Sequence, residues 1–559
     1  MPKKSEKIRV ALAQMNATVG DLRGNADKII SSIKKAEKAG ADIISFPELA
    51  ITGYPPEDLL FQPKFVSDAH QELRRVTAQG SSVIAVVGFP QVFKKNLYNA
   101  AVLIHEKSLK GSYRKVFLPN YGVFDEKRYF AAGSSFPVFG LGKIVFGVNI
   151  CEDIWHLEGP AAFQAYKGAG LIININASPY HMGKGALRED ILKKQAKKHK
   201  IFITYTNLIG GQDELVFDGQ SLVIDDKGRV VAKARAFSEE LLVVDLELPL
   251  GSKKSKIFLG GISEKKPPLG KPLLSGFESE VEEVYEALGL GLRDYVLKNG
   301  FKKVVLGLSG GIDSSLVAAL AVDSIGHKNV VGISMPTVFT SQESKDDAKS
   351  LAGNLGIEFK TIPIQEVFEK YLELLKGVFA DNLPDVTEEN LQARIRGNII
   401  MALSNKFKTL ALNTGNKSEV SCGYCTLYGD MAGGFGVIKD VPKTFVYRLA
   451  QYKNKKEGKE VIPARVFSKA PTAELRPNQK DSDTLPEYDL LDRVLKLYVE
   501  EDKSLAEIVK AGIKEDTALR VLRMVDSNEY KRRQAPPGIK ITPRAFGRDR
   551  RMPITNRYR

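Results

Sequence analysis

Short runs of aliphatic and β-branched residues recur from Ile8 to Ala234, each closed by a polar turn or a helix-like stretch. That rhythm admits little but a layered α/β fold. IRVALAQM (8–15) reads as a strand, and NADKIISSIKKAEKAG (25–40) carries apolar residues at helical spacing and stops on Gly40. ADIISFPE (41–48) reads as a buried strand, and further strands are expected in SSVIAVVGFP, LYNAAVLIHE, KIVFGVNICED, LIININASP and IFITYTNLIGG. SLVIDDKGRVVAKA reads as a hairpin turning at Asp226, Lys227 and Gly228. Many strands must therefore pack under few helices.

The pattern changes after residue 250. GSKKSKIFLGGISEKKPPLGKPLLSG (251–276) is rich in Lys, Gly and Pro without periodicity and reads as a linker. Beyond it a helix, ESEVEEVYEALGLGLRDYVLKNG, leads into FKKVVLGLSGG, KNVVGISMP and KTLALNTGN, strand-plus-loop units separated by helices. This alternation predicts a second, doubly wound parallel sheet. From Leu485 onward the pattern is mostly helical. The expected organisation is a domain over 1–250, the linker 251–276, a second domain over 277–540 and a basic tail over 541–559.

Bulk properties narrow the setting. No apolar run approaches the roughly 18 residues a membrane span needs, and MPKKSEKIRVALAQ runs straight into a strand rather than a signal-peptide core. Three cysteines in 559 residues do not make a disulfide framework and fit a reducing compartment, so a cytoplasmic protein is expected. The net charge of +15 invites a nucleic-acid reading. Its distribution argues otherwise: from Lys531 to Arg559 there are ten Lys/Arg and one Asp, in a stretch broken by four prolines. A solvated tail or subunit-contact arm is the first reading of that charge, and binding of a polyphosphate-bearing substrate near Lys531 the second. Nucleic acid ranks behind both, since no aromatics interleave with the cations.

VVLGLSGGIDSSLVAALAV sets an apolar strand, a glycine-rich turn and a helix in direct succession. Gly310 and Gly311 allow the backbone to approach phosphate oxygens, and the hydroxyls of Ser309, Ser314 and Ser315 face the same anion as the amides that open the helix. Asp313 beside a phosphate requires a cation between them, which makes it a Mg²⁺ ligand candidate. The loop lacks the Gly-Lys-Ser/Thr of a Walker A motif and the G-x-G-x-x-G of a dinucleotide fold. A glycine pair at a strand–helix turn is most often structural, but SGGIDS is far more specific. It resembles the pyrophosphate loop of the N-type ATP pyrophosphatases, which implies ATP contacts from Gly307, Leu308, Ser309, Gly310, Gly311, Ile312, Asp313 and Ser314. It also implies chemistry in which a carboxylate becomes an adenylate.

Three reactive residues stand where strands of the first half run out: Glu48, Lys115 and Cys151. An ammonium near a thiol favours the thiolate, and a carboxylate can take its proton. Singly, Cys151 would be an inert core thiol and the other two ordinary charges. In sequence, FPE, RKxxLPNYGVFDExRYF, NICEDIW and NASPY resemble the nitrilase superfamily, and more narrowly the glutaminase half of glutamine-dependent NAD synthetases. The resemblance implies an αββα sandwich with Glu48 as base, Lys115 as electrostatic stabiliser and Cys151 as nucleophile. It also implies Glu126 as a second carboxylate, and Tyr121, Ser178 and Lys184 as glutamine contacts, with Arg188 an alternative for the substrate carboxylate. Pro2 excludes an N-terminal-Cys amidotransferase, and His156 and His181 lack the pattern of a Cys-His-Glu one.

EENLQARIRGNIIMALSN (388–405), LNTGNKSEVSCGYCTLYGDMAGGFGVIKDVPKT (412–444) and SKAPTAELRPNQKDSDTLPEYDLLD (468–492) extend the resemblance to the synthetase half. They imply that Asn390, Glu419 and Lys531 contact deamido-NAD and that Thr414 contacts ATP, with Thr472 a further ATP candidate. Glu419 stands as a substrate group, a Mg²⁺ ligand or both. The implied partners are small molecules (deamido-NAD⁺, ATP and glutamine), with Mg²⁺ as cofactor and a homo-oligomer, up to an octamer, as assembly. Cys422 makes a CxxC with Cys425, which reads as structural thiols because a zinc site would need a second ligand pair. Phe339 stands where the family commonly has Tyr. The rivals are a pyrophosphatase acting on another acceptor, against which the nitrilase-like half speaks, and an RNA-binding protein. The second would show steeply salt-dependent RNA affinity lost on deleting 540–559.

Overall fold

The computed structural model describes residues 5–250, 255, 257–263, 266–380 and 382–558. Of the segment read as a linker, residues 251–254, 256, 264 and 265 lie outside the described residues, as does Arg559 of the basic tail. The chain divides into two compact units at Glu278/Ser279, with Asp213–Leu215 counted in the second.

The first unit is a sandwich of two sheets. One has six strands in the order Glu240–Pro249, Ser5–Gln14, Ile43–Ser45, Ile84–Phe93, Asn96–His105, Ser108–Arg114. The other has seven, in the order Val230–Lys233, Leu222–Ile224, Phe202–Asn207, Leu171–Asn176, Ile144–Ile150, Val138–Leu141, Ile257–Phe258. Alternate residues point to opposite faces of a strand, so Ile8, Val10 and Leu12 of one sheet meet Phe146, Val148, Ile173 and Val223 of the other in a single buried cluster. Helices cover the outer faces: Pro63–Ala78 lies on the first sheet, Pro160–Tyr166 and Lys184–His199 on the second. The result is the expected αββα sandwich. The 251–276 stretch does more than link, because Ile257–Phe258 pairs in parallel with Phe139–Gly140 as the edge strand of the second sheet.

The second unit carries the expected all-parallel sheet, ordered Glu358–Thr361, Val330–Ser334, Val304–Gly307, Leu410–Asn413, Phe435–Gly436. Strand order reverses next to Val304–Gly307, and at such a switch point the loops at the carboxyl ends open a crevice. The C-terminal helices, among them Tyr488–Leu495 and Glu515–Ser527, build their own core from Leu491, Val494, Val521 and Val525. The basic tail is not a free arm as far as Arg550. Ile541 and Thr542 are buried, their amides donate to the Asp440 carboxylate, and Lys417 Nζ reaches Thr542 Oγ1 at 2.7 Å. Among the described residues no helix is long and apolar enough to cross a membrane.

Candidate active sites

In the first unit, Glu48, Lys115 and Cys151 all come where strands end. Lys115 follows Ser108–Arg114, and its amide donates to Asn99 O. Cys151 follows Ile144–Ile150 and holds φ at 43°, in the left-handed region. For a side chain other than glycine that conformation costs about 1–3 kcal/mol and is characteristic of functional turns. The turn is pinned by Asp153, whose carboxylate accepts from the amides of Ile150, Val116 and Phe117 and from Tyr113 Oη. One buried carboxylate thus ties the Cys151 turn to the segment bearing Lys115.

Lys115 Nζ donates to Glu48 Oε1 at 2.6 Å and to Glu126 Oε1 at 2.7 Å, with all three side chains buried. Asn99 Nδ2 donates to Glu48 Oε1 at 2.7 Å and lies 3.4 Å from Glu126 Oε2. The Ala177 amide donates to Glu48 Oε2 at 3.0 Å, and Tyr54 Oη donates to Glu126 Oε1 at 2.9 Å. An ammonium has three protons, so two bound carboxylates leave Lys115 one more to offer. Burial pulls its pKa down, but the carboxylates of Glu126 and Glu48 outweigh this and the net shift is upward. Burial pushes the Glu126 carboxyl up to about 7 against the pull of Lys115, with Glu48 adding repulsion.

The thiol state differs from the sequence-based expectation. Burial and the charge of Glu48 push Cys151 well above an ordinary thiol, and Lys115 offsets only part of that. The ammonium is already held by two carboxylates, so its field at sulfur is weak. The resting group is a thiol, and nucleophilicity requires a base.

The expected glutamine contacts surround this cluster. Tyr121 Oη donates to Glu152 Oε2 at 2.9 Å, and the amide of Ser178 donates to Asn207 Oδ1. Lys184 Nζ lies 4.2 Å from the centre of the Trp155 ring, and burial and the nearby Arg188 charge lower its pKa to about 8. Arg188 turns both terminal nitrogens to Asp218, each at 3.1 Å. Of the two candidates for a substrate carboxylate, Lys184 is the one without such a commitment. Sequence reading passed over Asn99, Tyr54 and Asp153. The signals available were an Asn inside the apolar strand NAAVLIH and an Asp two residues after the cysteine.

In the second unit a cleft of about 330 Å³ opens over the strand–loop–helix turn. Gly307 through Ser314 line it, together with Thr414, Glu419 and Thr472. Gly310 has φ of 79°, and a Cβ there would lie 2.3 Å from Ser344 O, so only glycine fits. Ser309 Oγ accepts from the Gly311 amide and contacts Ser314 Oγ at 3.1 Å, which shapes the loop. The helix Ile312–Ile325 begins here, and its first amides face the cleft as an anion site.

Across the loop, Lys443 Nζ bridges Asp313 Oδ2 at 2.5 Å and Glu419 Oε1 at 3.1 Å. Asp313 Oδ1 also accepts from Asn416 Nδ2, and Asn416 Oδ1 caps the helix that carries Glu419. Burial raises Glu419 to about 7 against the pull of Lys443, with Asp313 pushing the same way as burial. Both carboxylates line the cleft beside the loop and are hard oxygen donors of the kind Mg²⁺ takes beside phosphates. Lys443 was not foreseen; it lay inside a quoted segment with nothing local to mark it. Asn390 and Lys531 do not line the cleft. Asn390 Oδ1 accepts from Thr426 Oγ1, and Lys531 Nζ donates to the carbonyls of Gly423 and Cys425, so both hold the wall segment that presents Tyr424 and Cys425. Cys422 packs among the C-terminal helices, and both it and Cys425 are free thiols that burial pushes up to about 12.

Comparison with known proteins places both halves of the chain in known families. The carbon-nitrogen hydrolase family matches residues 9–253, and the NAD synthase family matches residues 284–535. The glutamine-dependent NAD(+) synthetase of Thermotoga maritima is 49% identical over 99% of each chain, and that of Aquifex aeolicus 48% over 99% of this chain and all of its own. The solved glutamine-dependent NAD+ synthetase from Acinetobacter baumannii, in complex with ADP, is 40% identical over 99% of each chain, with a TM-score of 0.76. A Cytophaga hutchinsonii synthetase, 24% identical with a TM-score of 0.82 over 99% of this chain and 98% of its own, shares the fold. With relatives this similar over its whole length, the chain belongs to the glutamine-dependent NAD⁺ synthetase family.

Proposed function

We propose that the two sites divide the synthesis of NAD⁺ from deamido-NAD⁺ between them, an ATP-dependent ligase reaction with glutamine as nitrogen donor. The observation that carries the residue assignment is the buried Lys115 ammonium gripped by Glu48 and Glu126 in the charge environment of Cys151. Glu48 takes the proton of Cys151 and the thiolate attacks the carboxamide carbon of glutamine. The third proton of Lys115 meets the oxyanion. The C–N bond breaks as the nitrogen takes up a proton and leaves as ammonia. Water then cleaves the γ-glutamyl thioester, releasing glutamate and restoring the thiol. Tyr121, Ser178 and Lys184 hold glutamine, with Lys184 at its α-carboxylate.

At the second site the loop from Gly307 to Ser314, with Thr414 and Thr472, holds ATP. The nicotinate carboxylate attacks the α-phosphorus and pyrophosphate leaves; ammonia then displaces AMP from the adenylate. Asp313 and Glu419 would hold Mg²⁺, which when bound neutralises phosphate charge and the leaving pyrophosphate. Lys443 adds a fixed positive charge between these carboxylates. Glu419 also faces the dinucleotide, while Asn390 and Lys531 act on it through the Gly423–Thr426 wall. We read the enzyme as a cytoplasmic homo-oligomer with small-molecule substrates. The test is stoichiometry with amide-¹⁵N glutamine: one labelled NAD⁺, one AMP, one pyrophosphate and one glutamate per turnover. ADP and phosphate in place of AMP and pyrophosphate would refute the assignment of the second site.

A further inference from the structure

Asn99 is completely buried in the strand Asn96–His105, whose neighbouring residues are Ala100, Ala101, Val102 and Leu103. Asparagine is disfavoured inside strands, so its presence there calls for a reason. Both hydrogen-bond contacts of its side chain go to the two carboxylates of the glutaminase site: Nδ2 to Glu48 Oε1 at 2.7 Å and to Glu126 Oε2 at 3.4 Å. Its Oδ1 is buried without a partner. What sets this amide apart is where its donor end goes, to two carboxylates rather than to backbone carbonyls.

The donors reaching the carboxylates are unequal. Glu48 receives Lys115 Nζ and Asn99 Nδ2 on Oε1 and the Ala177 amide on Oε2. Glu126 receives Lys115 Nζ and Tyr54 Oη on Oε1, while its Oε2 has only the long Asn99 contact. Two ionised carboxylates beside one ammonium and a neutral thiol leave a net negative charge in a buried site, so the cluster favours taking up one proton. The oxygen with the fewest donors is where that proton costs least.

We propose that Asn99 is a positioning residue of the glutaminase site, whose amide holds the Glu48 carboxylate oriented as the base for Cys151 and leaves the cluster's spare proton to Glu126. The proposal rests on the assignment of Cys151 as nucleophile. The displacement of Glu126 to about 7 by burial, with Lys115 opposing and Glu48 reinforcing it, is in keeping with this division. The groups facing the pair are Lys115, Tyr54 and Cys151, with Glu152 adding its charge at sulfur. Without the donor, Glu48 loses one of three hydrogen bonds to its charged form, and protonation moves toward the base.

The test uses the full-length chain with Asn99→Leu, which removes the donor and keeps the branched heavy-atom skeleton, and Asn99→Ser, which restores a smaller donor. Glutamate release is followed against pH. With Leu, the acid limb of kcat/KM for glutamine should move to higher pH by about one unit, with the loss in kcat rather than KM, and Ser should recover part of the shift. A second measurement needs no turnover: alkylation of Cys151 by iodoacetamide in the native protein, read by peptide mass, should show the same displacement. Superimposable profiles for Leu and wild type, or a loss confined to KM, would overturn the proposal. Cys151→Ala, assayed alongside, tests the underlying assignment separately. Glutamate release surviving in that variant refutes the nucleophile, whereas its loss together with an unmoved acid limb in Asn99→Leu refutes Asn99 alone.

Discussion

At the scale of single residues, chemistry depends on where charge is buried. Lys115 is 1% exposed and binds two carboxylates that nothing else of its sign contacts among the described residues. Removing one partner of such a group leaves uncompensated buried charge, which costs about 3–5 kcal/mol. Lys115→Met should therefore abolish glutamine hydrolysis and lower stability by that amount in a denaturant titration; a fully stable variant would contradict the cluster as described. Glu419 makes a matching prediction in the second unit. With its carboxyl at about 7, it gains a proton as pH falls below that value and ceases to be an anionic donor. The Mg²⁺ concentration needed for half-maximal ammonia-dependent synthesis should rise as pH drops from 8 to 6, more in wild type than in Glu419→Gln. Glu48, Lys115 and Cys151 stood out in the sequence through the motifs around them, FPE, RKxxLPN and NICEDIW, rather than singly. Their protonation did not, because burial and the competing carboxylates are properties of the assembled site.

At the scale of elements, period and punctuation carried most of the information. The hydrophobic runs predicted both sheets of the sandwich, and SGGIDS marked the turn where the parallel sheet reverses order. The edge strand Ile257–Phe258 was missed because Lys, Gly and Pro dominate its surroundings. The C-terminal tail was misread for the opposite reason: its charge looked solvated, yet much of it is paired. Arg532 and Arg533 contact Glu529, Lys540 contacts Asp549 and Arg550 contacts Asp526. Lys417 anchors the segment, its Nζ lying 2.6 Å from Glu500, 3.0 Å from Asp440 and 2.7 Å from Thr542 Oγ1. Composition gives the charges but not which of them the fold brings together. Lys417→Ala should cost about 3–5 kcal/mol and expose residues 541–550 to limited proteolysis. Unchanged protection would show that the segment is held otherwise.

At the scale of the whole molecule, one chain joins a carbon-nitrogen hydrolase half to an NAD synthase half. The nitrilase-like sandwich holds a thiol, a base and an ammonium; the parallel-sheet unit holds a phosphate loop and a pair of carboxylates. Sequence reading reached this division because each unit has its own motif set. It did not reach Lys443, Asn99 or Asp153, which act only through contacts the fold creates. The central claim is that Cys151 supplies ammonia and nothing else. The most direct measurement is NAD⁺ formation by Cys151→Ala from deamido-NAD⁺ and ATP with either glutamine or ammonium. Synthesis from glutamine should vanish while synthesis from ammonium persists at near wild-type rate. Persistence of glutamine-dependent synthesis, or loss of both in a folded protein, would contradict the division of labour.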